Sequence, residues 1–422
     1  MPERSAKRTI GFFDDSVGPG GTTRYLSNLI SGLDRDEFDL VLLALTSRAW
    51  HRELEPFGLR IVTLAPPAAA GSATPAAAVT EQTPPTRRRR IQMPKWIAAW
   101  LGLLKEIVQL RRLFRKCRVD LLHSNNAGAE PAPIAARLAG VPIVLATWHV
   151  DSTYDLEGTR SGLRYRLLEM ACMRSLHHAI SVSHATAADW VRRCHLPKSY
   201  GRKITVIHNG IAVDSLRRRV TLAEAKAAAG LAQRLVVGST GRLEPAKGYE
   251  FVIRALPAIV AKYPQTLLRI AGRGELQTGL AELARSLGVE GNLEFTGFVS
   301  DIQSFLETLD IYVQPSLCEA LPMAVLEACA VGMPVVASDV GGVGECIRQN
   351  RTGIVVPARD PQALSEAVVR LLEDAQLRER MALEGQMLMA EGFRKETMVA
   401  ETVAVYRRLF GSERSGASSD NL

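Results

Sequence analysis

Two carboxylates, Glu319 and Glu327, stand eight positions apart, just after a strand-like run at 311–316. An apolar helical pattern over Met323–Val331 follows and ends at Gly332. Because eight residues make a little over two helical turns, we expect Glu327 inside the helix and Glu319 in the preceding loop. The helix start between them offers backbone N–H groups and the positive end of a dipole, which suit a phosphate. The pattern predicts two carboxylates that contact two parts of one elongated ligand, although isolated glutamates at this spacing are typical of an ordinary surface.

Two cations, Arg242 and Lys247, could complete such a site. They follow a predicted strand at 234–241, and Lys247 precedes Gly248 at the start of a predicted helix at 249–263. Cations at a glycine-flanked helix start bind a diphosphate well, because they add charge to the free N–H groups. The pattern predicts a diphosphate-binding loop.

A glycine-rich turn follows the first predicted strand, 9–13. Gly20 and Gly21 close this turn and lead into an amphipathic helix. Strand, glycine-rich turn and helix together bring backbone N–H groups close to a phosphate, although a purely structural turn has the same pattern. The turn is not the dinucleotide fingerprint, because Thr23 stands where the third glycine would fall.

The composition excludes several classes of protein. With 422 residues, of which 47% are hydrophobic and 23% charged, we expect two globular domains. The net charge of +8 permits nucleic acid, an anionic membrane or phosphorylated substrates as partners. The six cysteines show no C-x-x-C spacing, so neither a zinc site nor a disulfide framework is predicted. Asp14 and Asp15 are adjacent but lack further ligands, so no metal site is predicted there either.

The N-terminal residues lead into a short apolar strand and not into a signal-peptide core. No run of 18 apolar residues occurs, so no transmembrane helix is predicted. We therefore expect a cytoplasmic protein.

Predicted strands and helices alternate along the whole chain, which is typical of parallel sheets covered by helices on both faces. In such sheets, ligands bind at the carboxyl ends of the strands. His149, Ser183 and Asn209 each follow a predicted strand and would share that edge. His149, with Asp151 nearby, is a candidate site residue, although a histidine at a strand end is often structural.

Residues 66–95 interrupt this alternation. They are rich in proline and alanine, contain the run Arg87–Arg90, and predict a flexible insertion. The basic helix that follows carries Trp96 and Trp100, which is typical of a helix that lies on an anionic membrane surface. A helix that faces the core, with a solvated basic face, fits the same residues.

The second half of the chain resembles the retaining glycosyltransferases of family 4, which have the GT-B fold. The motifs that carry this resemblance, in chain order, are Gly241-Arg242…Lys247-Gly248, Gly272-Arg-Gly274, Phe295-Thr-Gly-Phe-Val299, Pro315-Ser316…Glu319-x7-Glu327, Gly332-x-Pro334-Val-Val, Gly341-Gly342 and Gly353-Ile-Val-Val-Pro357. The first half is similar to the family at Gly20-Gly21, Thr147-Trp-His149 and Asn209-Gly-Ile…Asp214. Apart from 66–95 and the two tails, the resemblance covers nearly the whole chain.

This resemblance implies an α/β protein of two Rossmann-like domains, with parallel sheets that face an inter-domain cleft. Residues 1–214 would form the acceptor-side domain, with the insertion at about 66–95. Residues 215–392 would bind the nucleotide sugar. A C-terminal helix at 393–410 would cross back to the first domain, and 411–422 would be a disordered tail.

The resemblance also implies roles for the residues at matching positions. Arg242 and Lys247 would hold the donor diphosphate, Glu327 the ribose, and Glu319 the sugar, with His149 near the reacting carbon. The remaining donor-binding positions would be Gly20, Gly21, Gly272, Phe298, Val299, Ala320, Leu321 and Pro322. The family is metal-independent, so neither a metal nor a cofactor is expected.

The predicted activity is retaining transfer of a hexosyl unit from a UDP- or GDP-linked sugar. The acceptor would be a saccharide, a lipid-linked molecule or another small molecule, and an anionic membrane surface is a candidate partner. Two alternatives are a GT-B sugar-nucleotide epimerase and an inactive nucleotide-sugar-binding module. A phosphorylase lacks its lysine motif here, and a nucleic-acid partner is not expected because the arginines at 87–90 have no interleaved aromatics.

Overall fold

A computed structural model describes residues 7–16, 20–65, 95–125, 131–149, 163–194 and 196–416. Most of the predicted insertion, the arginine run and Asp151 lie outside these residues. The chain forms two compact units: the first takes the described parts of 1–18, 34–146 and 167–177, and the second those of 19–33, 147–166 and 178–422. The domain boundaries drawn from the sequence stay a prediction.

One parallel sheet has seven strands in the order β3-β2-β1-β4-β5-β6-β7. The strands are β1 (Arg8–Phe13), β2 (Phe38–Thr46), β3 (Arg60–Ala65), β4 (Leu121–Ser124), β5 (Ile143–Trp148), β6 (His178–Ser181) and β7 (Ile204–Val206). Central strands such as β4 and β5 are buried along their whole length. Burial of every residue along a strand is typical of a sheet that helices cover on both faces.

Helices alternate with these strands along the chain. They are α1 (Gly21–Gly32), α2 (Lys95–Cys117), α3 (Ala132–Ala139), α4 (Leu163–Ser175) and α5 (His184–Arg193). A 3-10 helix at Ala49–Phe57 links β2 to β3. The sequence analysis did not predict β3, α5 or this 3-10 helix.

A second parallel sheet has six strands in the order β10-β9-β8-β11-β12-β13. The strands are β8 (Leu235–Thr240), β9 (Thr266–Ala271), β10 (Leu293–Gly297), β11 (Ile311–Gln314), β12 (Val335–Ser338) and β13 (Gly353–Val356). The helices that follow β7 along the chain are α6 (Leu222–Ala228), α7 (Tyr249–Lys262), α8 (Gln277–Ser286), α9 (Ile302–Glu307), α10 (Met323–Val331), α11 (Val343–Cys346), α12 (Pro361–Glu373), α13 (Ala375–Gly392) and α14 (Lys395–Gly416).

Two hydrophobic clusters cover the two faces of the six-stranded sheet. Successive residues of a strand alternate between them: Val236 and Tyr312 pack in one, and Val237 and Val313 in the other. This is the period-two pattern of a strand buried on both sides. The first cluster contains α10, whose residues are buried almost all round, which fixes this helix firmly beside the sheet.

Two glycines are required where backbone segments approach each other closely. Gly248 has φ +61°, and a Cβ atom there would lie 2.1 Å from the carbonyl oxygen of Pro315. Gly272 has φ +156°, and a Cβ atom there would lie 1.8 Å from the carbonyl oxygen of Gly241. Any side chain at either position would separate the loops that carry Arg242, Lys247 and Glu319.

The C-terminal helix α14 packs against α1, where a Cβ atom on Gly32 would meet Val399 Cγ2 at 2.8 Å. The helix continues to Gly416, so the prediction of a disordered tail from 411 is wrong for 411–416. Residues 417–422 lie outside the described residues.

The two parallel α/β sheets confirm the predicted fold class. Among the described residues, no helix is both long enough and apolar enough to cross a bilayer.

Candidate functional site

Lys247 and Glu319 form an ion pair in the second unit. Lys247 Nζ donates to Glu319 Oε1 at 2.7 Å, and the two side chains are 20% and 10% exposed. Lys247 ends a short 3-10 helix before Gly248, whereas Glu319 lies in the loop between β11 and α10. Chain segments more than 70 residues apart thus bring a cation and a carboxylate together at the carboxyl edge of the sheet.

A buried chain of hydrogen bonds holds Glu319 from behind. Gln314 Nε2 donates to Glu319 Oε1 at 2.8 Å, and Ser316 Oγ donates to the same oxygen at 2.7 Å. Tyr312 donates to Gln314 Oε1 at 2.8 Å, and the Thr240 hydroxyl lies 3.0 Å from the Tyr312 hydroxyl. Burial raises the pKa of Tyr312 well above its usual range, so this phenol stays a neutral donor. This series of hydrogen bonds fixes the direction in which the Glu319 carboxylate points.

The N-terminus of α10 lies between the two glutamates, as predicted. Its N-cap is Pro322, which gives no side-chain cap to the first N–H groups of the helix. The loop before it is held by Asn209 Nδ2, which donates to the carbonyl oxygen of Leu321 at 2.9 Å, and by Gly342 N, which donates to that of Glu319 at 3.2 Å. An uncapped helix start in a rigid loop is a suitable site for an anion.

Glu327 lies inside α10, and its side chain is only 7% exposed. Its carboxylate pairs with the guanidinium of Arg24 from α1. Burial raises the pKa of Glu327, and Arg24 opposes that shift. Sequence analysis missed Arg24, which lies 303 positions away.

Arg242 lies in the loop after β8, with its side chain 63% exposed. Its Nη2 atom lies 3.2 Å from Glu244 Oε1. An exposed pair of this kind contributes little to stability.

His149 directly follows β5, and its ring contacts the ring of Tyr25 edge-on, with 4.5 Å between the centroids. Burial lowers the pKa of His149 to about 3. The imidazole is therefore neutral at physiological pH and can contact a sugar hydroxyl without adding charge.

The other predicted donor positions are placed as follows. Gly20 is the N-cap of α1, and a Cβ atom on Gly21 would lie 3.5 Å from Met323 Cγ, so Gly21 lies beside the start of α10. Gly272 lies against Gly241, so the close approach of the two backbones alone explains why a glycine is needed at this position. Phe298 is 60% exposed, and Val299 packs partly buried against the core. Ala320 and Leu321 are buried.

One cluster of metal-ligand type occurs among the described residues. Ligand atoms of His184, His208 and Glu345 lie within 4.8 Å of one another. Both oxygens of Glu345 already accept hydrogen bonds at 2.9 Å, from the backbone N–H groups of His184 and Ala185 at the start of α5. Burial raises the pKa of Glu345, but His208 and these N–H groups outweigh burial and lower it overall. We interpret the cluster as a helix cap.

Sequence reasoning missed three residues that support the predicted site: Arg24, Gln314 and Tyr312. The sequence does carry a signal for Gln314, because this strongly polar residue directly follows the apolar residues 311–313 of a predicted strand. A buried amide in a central strand must be hydrogen-bonded, which points to a polar partner such as Glu319.

These features define a class of protein. Two Rossmann-like sheets, with a Lys–Glu pair and an open helix start at a carboxyl edge, are the architecture of a GT-B glycosyltransferase. The solved structure of Anabaena HepE in complex with UDP has the same fold, with a TM-score of 0.74, 20% identity, and coverage of 95% of this chain and 100% of that one.

Comparison with protein families makes the assignment specific. The family described as Glycosyltransferase Family 4 matches residues 19–215, and the one described as Glycosyl transferases group 1 matches 224–387. The glycogen synthase of Mycobacterium tuberculosis is 32% identical over 71% of each chain. A GDP-mannose-dependent α-(1-6)-phosphatidylinositol monomannoside mannosyltransferase of the same organism is 28% identical over 70% of this chain and 77% of that one. The chain belongs to glycosyltransferase family 4.

Proposed function

We propose that this glycosyltransferase moves a hexosyl unit, with retention of configuration, from a UDP- or GDP-linked sugar to a saccharide, lipid-linked or small-molecule acceptor. The observation that carries the proposal is the Lys247–Glu319 pair beside the open N-terminus of α10. The related proteins whose names include UDP and GDP-mannose support a nucleoside diphosphate donor without choosing the base.

In this proposal, the leaving diphosphate is stabilised by fixed positive charge. Lys247 and Arg242 would contact its oxygens, and the N–H groups at the start of α10 would add the positive end of the helix dipole. Two cations and a helix dipole can neutralise this leaving group without a metal, and the chemistry needs no cofactor. When donor binds, Lys247 would share its charge between Glu319 and phosphate.

The sugar and the ribose would be bound by carboxylates. Glu319, held in place by Gln314 and Ser316, would accept hydrogen bonds from sugar hydroxyls. Glu327 would accept from the ribose hydroxyls, and neutral His149 would contact the sugar near the reacting carbon. The acceptor would attack from the face that the diphosphate leaves, and a phosphate oxygen would take its proton. This route retains configuration without a nucleophilic carboxylate.

We expect the purified protein to transfer hexose from one UDP- or GDP-sugar and to form the same anomeric configuration as in the donor. Donor and acceptor panels, with NMR of the product, would measure this. The rate should be the same in excess EDTA, because the proposed stabilising charges belong to the protein.

Loss of transfer in EDTA that magnesium restores would contradict the metal-free mechanism. An inverted product would contradict retention. Incubating the nucleotide sugar alone is the control for the epimerase alternative, since an epimerase would change the sugar without an acceptor. Binding of nucleotide sugar without any transfer would support the inactive module.

The proposal also includes contact with an anionic membrane through α2. Leu101, Leu104 and Val108 are 50%, 54% and 44% exposed and follow helical spacing. Exposed basic residues flank these apolar residues: Lys105 lies between Leu104 and Val108, and Arg112 follows Val108. Trp100 instead packs partly buried against the cluster of Leu103, Leu168 and Cys172, so the predicted tryptophan stripe is not all on the exposed face. An exposed apolar stripe flanked by cations is typical of helices that lie in a membrane interface.

We expect the wild-type protein to sediment with anionic vesicles at low salt and to be released at high salt. Replacing Leu101 and Leu104 together by serine should lower the bound fraction at least about fivefold, since each buried leucine contributes about 1.5–3 kcal/mol. Leu383→Ser, at a leucine 57% exposed on α13, is the matched control and should bind as wild type. Equal sedimentation of all three proteins would contradict docking through α2.

A further inference from the structure

The first unit carries a second set of polar side chains, separate from the Lys247–Glu319 pair. At the carboxyl edge of its sheet, β1 leads into Asp15, and β2 ends at Thr46 and leads into Arg48. His51 follows on the 3-10 helix at Ala49–Phe57. Because β1 and β2 pair in parallel, these residues share one edge, and Ser124 at the end of β4 lies on the other side of β1. We call Asp15, Thr46, Arg48, His51 and Ser124 the edge cluster.

The edge cluster holds buried polar atoms that lack hydrogen-bond partners within the described part of the chain. Eleven such side-chain atoms occur there, and five belong to the cluster: Asp15 Oδ1, Thr46 Oγ1, Arg48 Nε, His51 Nε2 and Ser124 Oγ. Buried polar atoms are normally paired, so this concentration indicates a ligand that would pair them. Asp15, Thr46 and Arg48 are partly exposed, so the edge cluster reaches the surface.

The hydrogen-bonding roles of these atoms are defined by their neighbours. His51 is 1% exposed, and its Nδ1 accepts from the backbone N–H of Arg48 at 3.2 Å. Burial, together with the charge of Arg48, lowers the pKa of His51 to about 4, so the neutral ring carries its proton on Nε2. His51 Nε2 and Arg48 Nε are thus donors, Asp15 Oδ1 is an acceptor when ionised, and the two hydroxyls can do either. Adjacent hydroxyl groups of a sugar can satisfy both kinds of atom.

The charge around the edge cluster disfavours an anion. Asp14 is fully buried beside it and accepts from Asn125 Nδ2 at 2.6 Å. Glu106 of α2 is close enough that Asp15 raises its pKa, after burial as the larger cause. Burial raises the pKa of all three carboxyl groups, which outnumber the single guanidinium of Arg48. In their ionised forms they repel a phosphate, whereas a neutral sugar meets no such repulsion.

We propose that the edge cluster binds the hydroxyl groups of a neutral saccharide. Resting on the proposed function, this site would hold the acceptor, and its chemistry selects an uncharged sugar unit over a phosphorylated one. Arg48 and His51 would donate to ring hydroxyls, and Asp15 would accept from one of them.

Titration by NMR with methyl α-glycosides of glucose, galactose and mannose, and with glucose 6-phosphate, tests this site. At least one methyl glycoside should bind more tightly than glucose 6-phosphate. Arg48→Gln and His51→Gln should each raise its dissociation constant about tenfold or more, the scale of a hydrogen bond with a charged or buried donor. Arg52→Gln, at an exposed arginine on the same 3-10 helix, is the matched control and should change it less than twofold.

Unchanged binding in both Arg48→Gln and His51→Gln would overturn the site, as would preference for glucose 6-phosphate or no binding of any glycoside. UDP affinity, measured on the same samples, shows whether each variant is folded and tests the donor site independently. Failure of wild type to bind both UDP and GDP, with glycoside binding intact, would refute the proposed donor chemistry and leave the edge cluster standing.

Discussion

Replacing Lys247 by methionine should lower kcat/KM for glycosyl transfer by about a hundredfold or more, the usual effect of removing one fixed electrostatic stabiliser. Methionine keeps most of the aliphatic stem but removes the ammonium group that donates to Glu319 at 2.7 Å. The Glu319 carboxylate would then face the donor phosphates without its cation, so repulsion adds to the lost attraction. Affinity for UDP or GDP should fall about tenfold, as expected for one charge-assisted hydrogen bond.

Steady-state kinetics and nucleotide titration of Lys247→Met measure both effects. Lys262→Met is the matched control, because Lys262 also pairs with a glutamate, Glu373, at 3.2 Å, but with its side chain 61% exposed. This variant should retain wild-type kinetics, since exposed pairs contribute little. If Lys247→Met kept kcat/KM within threefold of wild type, the assigned role of Lys247 would be wrong.

Glu327→Gln should lose its recognition of ribose while becoming more stable. Wild type should prefer UDP to 2′,3′-dideoxyuridine diphosphate by about tenfold or more, because the carboxylate accepts from both ribose hydroxyls. The glutamine side chain of the Glu327→Gln variant should abolish most of the preference for UDP over the dideoxy analogue. Arg24 is left without its carboxylate but is 45% exposed, so water can solvate it.

The stability change has a defined pH dependence. Burial raises the pKa of Glu327 in the folded state above its ordinary value of 4.5, despite the opposing charge of Arg24. A carboxyl with a raised folded pKa makes the folded state less stable as pH rises from the unfolded pKa through the folded one. The gain of Glu327→Gln in free energy of unfolding should therefore grow above pH 4.5 and level off once the folded group is ionised.

Denaturant unfolding from pH 4 to pH 8, with nucleotide titrations at pH 7, checks both parts. Glu379→Gln removes an exposed carboxylate from α13 and should change neither stability nor the ratio of the two affinities. A variant at Glu327 that still prefers UDP as strongly as wild type would falsify the ribose assignment.

The fold could be predicted because its signals are local. Apolar strand runs, glycine-rich turns and helical periodicity alternate in the sequence, and the start of α10 between Glu319 and Glu327 follows from residue spacing. One helix that was missed, α13, has a weak local signal. α13 carries polar residues on most of its surface, so it shows no clean apolar stripe.

The contacts within the site could not be predicted to the same degree, because they join distant residues. The pairing of Arg24 with Glu327 depends on how α1 packs, and no spacing rule connects two positions 303 residues apart. The hydrogen-bond chain through Gln314 and Tyr312 depends on side-chain direction in β11, which needs the sheet order as well as the sequence. Local pattern therefore predicts where charged groups gather, and packing decides which of them pair.

The packing of α14 on α1 has a consequence for how the chain folds during synthesis. Val399 closes over Gly32, so α1 finds this partner only after the whole intervening chain and α14 have been made. Such contacts of very large sequence separation slow folding, because the intervening chain must be ordered first. Until then, the face of α1 that holds Tyr25 and Leu29, both fully buried in the finished protein, has no α14 to cover it. The nascent enzyme should accordingly expose this face of α1 until α14 has been made.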